Sequence, residues 1–156
     1  MKTRMIALTV VVMCLVGVAL CAAAENSMLG TWKLDESKSK IPAGASKSVT
    51  VVYEAAGNEL KCTIDGVDGE GKPTHTEWKG KIDGKDYPVT GDPNQSTRSV
   101  KKINDHTMEV TVKKDGNVMM SGRIEISPNG KSRTVILSGT DPQGKKIQTA
   151  SFYNKQ

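Results

Sequence analysis

The side chains in this 156-residue chain that could do chemistry are few, and their spacing narrows what they could do. Arg98 has the parity of Val100, and Arg133 that of Val135 and Leu137. On an extended strand, residues two apart share a face. Both guanidinium groups are therefore expected among apolar neighbours, where an isolated charge costs several kcal/mol. They would either pair with Asp or Glu at a rim or hold the anionic head group of a ligand. If Ile136 instead marks the inner parity, Arg133 faces water. Tyr53, Tyr87 and Trp78 offer broad amphipathic walls with one polar handle each, or plain core filling. Met108, Met119 and Met120 would adapt to an irregular ligand or fill gaps in an ordinary core.

Metal and catalytic chemistry is poorly supplied. His75 and His106 are the only histidines. His75 and Glu77 share a parity opposite Trp78, a pair short of the three or four ligands that zinc needs. Asp65, Asp68 and Glu70 crowd one turn without the spacing of a calcium loop, which leaves an acidic hairpin tip. Gly-x-Ser-x-Gly, His-Glu-x-x-His, Cys-x-x-Cys and phosphate-loop patterns are all missing from the chain. A non-catalytic protein without cofactor or metal is expected. Asn94-Gln95-Ser96 matches a glycosylation sequon, which matters only for a eukaryotic exporting cell. Lys101-Lys102, Lys113-Lys114 and Lys145-Lys146 fall at strand ends, where lysines guard edges or form a weakly basic rim. No aromatic platform is interleaved with them, so nucleic acid is not an expected partner.

The compartment follows from the first residues. Lys2 and Arg4 precede an apolar run from Met5 to Leu20, and Ala22-Ala23-Ala24 supplies small residues for cleavage. The run is short for a spanning helix, which needs about 20 apolar residues. Residues 1–24 therefore read as a cleaved signal peptide, and 25–156 as a single exported domain, periplasmic or extracellular. Val18-Ala19-Leu20-Cys21 partly matches a lipoprotein box, but Leu20 stands where a small residue belongs, so a lipid-anchored form through Cys21 is the lesser expectation. Loss of Lys2 and Arg4 lowers the net charge from +5 to +3. With both signs interleaved along the chain, that favours a soluble monomer. Cys14 and Cys21 leave with the leader, so Cys62 has no partner for a disulfide. Its alternation with Leu60 and Ile64 predicts a small buried hydrophobe.

The elements that must position these side chains are strands. Turn signals recur at short intervals, among them Gly57-Asn58, Asp68-Gly69, Asp83-Gly84, Asp115-Gly116, Asn129-Gly130 and Asp141-Pro142. Between them residues alternate with period two: Val49, Val51, Tyr53; Leu60, Cys62, Ile64; Met108, Val110, Val112; Val118, Met120; Ile124, Ile126. About ten strands result, roughly 29–35, 48–54, 59–65, 74–82, 86–90, 97–102, 106–114, 117–126, 131–138 and 146–153, with one helical turn at most between Asp35 and Lys40. Short sequential links make a meander, which loses its exposed edges most simply by closing. The expected fold is all-β, a single antiparallel up-and-down barrel of 8–10 strands, with a β-sandwich as the alternative.

Leu29-Gly30-Thr31-Trp32-Lys33-Leu34 on the first strand resembles the Gly-x-Trp signature that opens lipocalins and fatty-acid-binding proteins, the calycin barrels. The chain is similar, more closely, to small secreted bacterial lipocalin-like proteins. That likeness is carried also by Lys38-Ser39-Lys40, by Val67-Asp68-Gly69 through Trp78, by Tyr87 to Pro93 and by Ser151-Phe152-Tyr153. The resemblance implies a barrel that binds a small apolar or amphipathic ligand, with Gly30 and Trp32 as structural signature. It also implies a late-strand arginine on the Trp32 indole, for which Arg123 and Arg133 are candidates. Arg123 lies opposite Met120, Ile124 and Ile126 in parity and is expected to face water. The sequence departs from fatty-acid-binding proteins in two places: Glu36 to Lys47 is too short for their two-helix lid, and Ser151 replaces the arginine of their closing Arg-x-Tyr. Trp32 is expected to close the barrel base. The alternative function is a solidly packed barrel that acts through its surface as an interaction, inhibitor or stress-protective module.

Overall fold

The computed structural model of the protein describes residues 27–140 and 143–156. The leader reading, with Cys14 and Cys21, lies outside them, as do Asp141 and Pro142. Alternating apolar segments form ten strands: β1 (Gly30–Leu34), β2 (Lys47–Ala56), β3 (Glu59–Val67), β4 (Pro73–Gly80), β5 (Tyr87–Thr90), β6 (Thr97–Asn104), β7 (Thr107–Lys114), β8 (Asn117–Ile126), β9 (Ser132–Thr140) and β10 (Lys146–Lys155). Each lies antiparallel beside its predecessor, and β10 returns to β1, so the meander closes into one barrel. The sandwich alternative is thereby set aside. A 3-10 turn, Glu36–Lys38, is the one helical turn in the link after β1. Among the described residues no helix is long and apolar enough to cross a membrane.

Local chemistry explains the hairpins and the bends. Asp115 and Gly116, at φ 50° and 83°, make the two-residue turn between β7 and β8. Consecutive positive φ values match the twist of the flanking strands. Gly122 and Gly139 answer a different need. A Cβ on either would lie 1.9 Å from a backbone carbonyl oxygen, of Ile136 and of Met119 respectively. The neighbouring strand thus passes where a side chain would begin, as sharp curvature in a closed sheet requires. The seam is extended beyond β1 by the Asp35 N–H donating to Phe152 O at 2.8 Å and by an isolated bridge between Lys40 and Ala150.

Two side chains break the simple alternation. Val118 shares sequence parity with Met120, yet the β7–β8 register shifts between Val112 and Lys113, so Val118 pairs with Lys113 and is 58% exposed. Val49 sits at a shift between Ser48 and Thr50 against β3 and is also exposed. One extra residue in one strand turns the side chains beyond it to the other face.

The core is uneven along the barrel axis. At the end where β1 begins, Met28, Trp32, Leu60, Cys62, Trp78, Val100 and Met108 are at most 3% exposed. At the other end the inward-facing Leu34, Ile64, Val112, Met120, Leu137 and Ile147 are only half-buried. One aromatic side chain removes roughly 150–250 Å² from water, worth about 4–6 kcal/mol before entropy is counted. Trp32 and Trp78, both fully buried, concentrate that stabilisation at the sealed base.

Candidate functional site

Both arginines that parity placed inside are inside, and they are held differently. Arg133, on β9, is 3% exposed and pairs across β10 with Tyr153. Its guanidinium carbon lies 4.6 Å from the Trp32 ring centroid, 4.9 Å from that of Tyr153 and 5.4 Å from that of Tyr53. Aromatic faces are negative, so these rings offset part of the desolvation of the charge. The Trp32 indole N–H donates to Met28 O at 2.9 Å, which draws the chain before β1 under the barrel. Arg133 is thus the arginine that packs on the Trp32 indole. Arg123 lies on the outer wall, paired with Glu125. Gly30, at φ 113°, opens the strand that carries Trp32 in a conformation other residues rarely adopt.

Arg98, on β6, is higher in the barrel and 9% exposed. Its row of paired residues runs through Val112, Met120, Gly139 and Ile147 toward the less buried end. Its Nη2 donates to Gln95 Oε1 at 3.0 Å, and the Gln95 amide donates in turn to Asp92 Oδ2. That chain fixes the amide's orientation, with oxygen toward the arginine. The Trp78 indole N–H donates to the Arg98 carbonyl at 3.0 Å. Because β5 pairs through only two residues on each side, this indole ties β4 to β6 behind the short strand. Among the described residues, no carboxylate comes within ion-pair distance of Arg98 or Arg133. Arg98 Nε and both Nε and Nη1 of Arg133 are buried without a hydrogen-bond acceptor.

Tyr53 and Cys62 lie between the two charges. They pair directly across β2 and β3. Burial pushes both groups above their ordinary pKa, while Arg98 and Arg133 pull each the other way. Burial wins, so at neutral pH the hydroxyl and the thiol are both neutral. The interior therefore holds two fixed positive charges and two neutral groups able to donate.

Tyr87 is the direct cross-strand neighbour of Arg98, paired with it between β5 and β6. It packs edge-on to Trp78, with centroids 6.2 Å apart, and its hydroxyl donates to Asp83 Oδ2 at 2.9 Å. It seals the wall beside β5. On the outer face, His75 Nδ1 lies 2.6 Å from Asp65 Oδ1, and Glu77 is 3.0 Å from Lys61. The Asp65 contact raises the His75 pKa, and Lys61 lowers that of Glu77. Among the described residues no cluster suited to a metal ion forms. Lys102 and Lys113 form ion pairs with Asp105 and Asp86, and Lys114 lies 3.8 Å from Asp115. These lysines are therefore spent on local carboxylates more than on a basic rim.

The structure brings Arg98, Arg133 and Tyr53 together, with Trp78 behind Arg98 and Tyr87 beside it on β5. Gln95, Cys62 and Tyr153 join them, and sequence reasoning did not place these at the site. Tyr153 and Cys62 had a signal in their inward parity. Gln95 had none, because its loop position carries no period.

No family model matches the chain, and no curated protein matches it. Among solved structures, it is similar to one described as EF1p2_mFAP2b bound to DFHBI, at 10% identity and a TM-score of 0.49, with 87% of this chain and 99% of that chain covered. It is also similar to a redesigned beta barrel, mFAP1, bound to DFHBI, at 13% identity and a TM-score of 0.42, with 86% and 99% covered. The barrel assignment stands on the strand pairing itself.

Proposed function

We propose that the mature chain is an exported, non-catalytic carrier that binds one small amphipathic molecule in the upper half of its barrel. The observation that carries this is the uneven core. Aromatic packing closes one end, while inward apolar side chains at the other remain half-exposed and leave apolar surface that a small ligand can cover. The leader pattern supports export, and the neutral, buried Cys62 thiol supports an inert interior. Native mass spectrometry of the protein purified from its own host tests this reading. A second mass retained on the folded chain is expected; polypeptide alone, with no binding of an added amphiphile, contradicts it.

A second reading, a module acting through its outer surface, is favoured by one feature. A groove of about 530 Å³ on the outer wall is lined by Ile103, Glu109, Arg123, Ile136 and Gln148, with Ile103 55% exposed. Exposed aliphatic side chains between charges suit a protein contact.

A further inference from the structure

We infer that Arg98 is the anchor for a carboxylate, so that the ligand is a small amphipathic acid lying head-down with its apolar part toward the open end. The inference rests on the carrier reading and gives the two arginines different roles. Arginine cannot shed its charge, so an arginine buried without a counter-ion must be satisfied by something else. For Arg133, whose Nε and Nη1 also lack acceptors, that role falls to the three aromatic rings over its guanidinium at the sealed base. Arg98 has no ring within cation–π reach among the described residues, and its side chain has one neutral amide partner, Gln95. Its Nε is buried without an acceptor.

Position agrees with charge. Arg98 lies at the level where burial gives way to half-exposure, the floor of the upper half, and its paired row leads through Val112 and Met120 toward the mouth. An anion seated there would meet Arg98 Nε, with the neutral Tyr53 hydroxyl and Cys62 thiol near the same charge. One negative charge balances the one cation left without rings or a carboxylate, which a carboxylate supplies. A doubly charged head group would leave a buried charge uncompensated. The half-exposed Ile64, Val112, Met120, Leu137 and Ile147 would then cover an apolar body.

Titration of the mature protein with decanoate and with decanol, followed by calorimetry, separates this inference from the reading beneath it. Decanoate is expected to bind at least tenfold more tightly than decanol. Arg98→Met should remove that preference, lowering decanoate affinity at least tenfold with decanol unchanged, and should leave the melting temperature unchanged or raised. Arg98→Lys, which keeps the charge, should retain part of the preference. Equal binding of the two probes, or an unchanged preference in Arg98→Met, overturns the carboxylate anchor and leaves the carrier intact. Failure of both probes to bind overturns both.

Discussion

The two ends of the barrel are made from the same strands and treat their interior differently. At the base, a cation sits among three rings and the apolar side chains are shut away from water. At the upper end, a second buried cation has one amide for company, and the aliphatic side chains above it are half-exposed. A charge surrounded by aromatic faces is a packing element. A buried charge with neither rings nor a carboxylate around it is a destabilising element. The contrast teaches that parity alone cannot assign a role to a buried arginine; what surrounds its guanidinium decides.

The contrast can be broken first at the base. Trp32→Ala would remove a fully buried indole and one ring of the Arg133 cage. A loss of about 3–5 kcal/mol in urea unfolding is expected. A loss under about 1 kcal/mol would show that the base is not where stability is concentrated. Gly122→Ala is expected to have a smaller effect, about 1–3 kcal/mol, because its Cβ would press on the Ile136 carbonyl oxygen. Unchanged unfolding would mean that the strands do not need their close approach there. Val118→Ser sharpens the boundary between inside and outside. The bulge turns Val118 out to 58% exposure, so its replacement should stay within about 0.5 kcal/mol of the parent, whereas a core valine at that position would cost more.

Much of this architecture was legible in the sequence. The β8 range matches its expected limits residue for residue, and the Asp115-Gly116 turn follows from its own chemistry. Period two placed Arg98 and Arg133 inside and Arg123 outside, and the Gly-x-Trp resemblance pointed to an arginine on Trp32, a place Arg133 fills. Less legible were features set by partners distant in sequence. The bulges that expose Val49 and Val118 arise from register against neighbouring strands, which no single strand's pattern contains. An Asp or Glu at a rim is one expected partner for the arginines, yet carboxylates of the β4–β5 link are engaged elsewhere: Asp83 accepts from Tyr87, and Asp86 from Lys113. The site's makeup, with Gln95 on one side of Arg98 and Cys62 with Tyr53 on the other, depends on how far the closed sheet shifts around its axis. Composition and spacing do not encode that shift in readable form.

The central claim is that the upper half of the barrel, above a sealed base, receives the ligand. Methyl NMR of the protein during a decanoate titration tests it most directly. The account predicts saturable shifts at Ile64, Val112, Leu137 and Ile147, with Ile126 and the outer-wall Ile103 and Ile136 unmoved. Shifts confined to Ile103 and Ile136, or no saturable shift at any methyl, would contradict it.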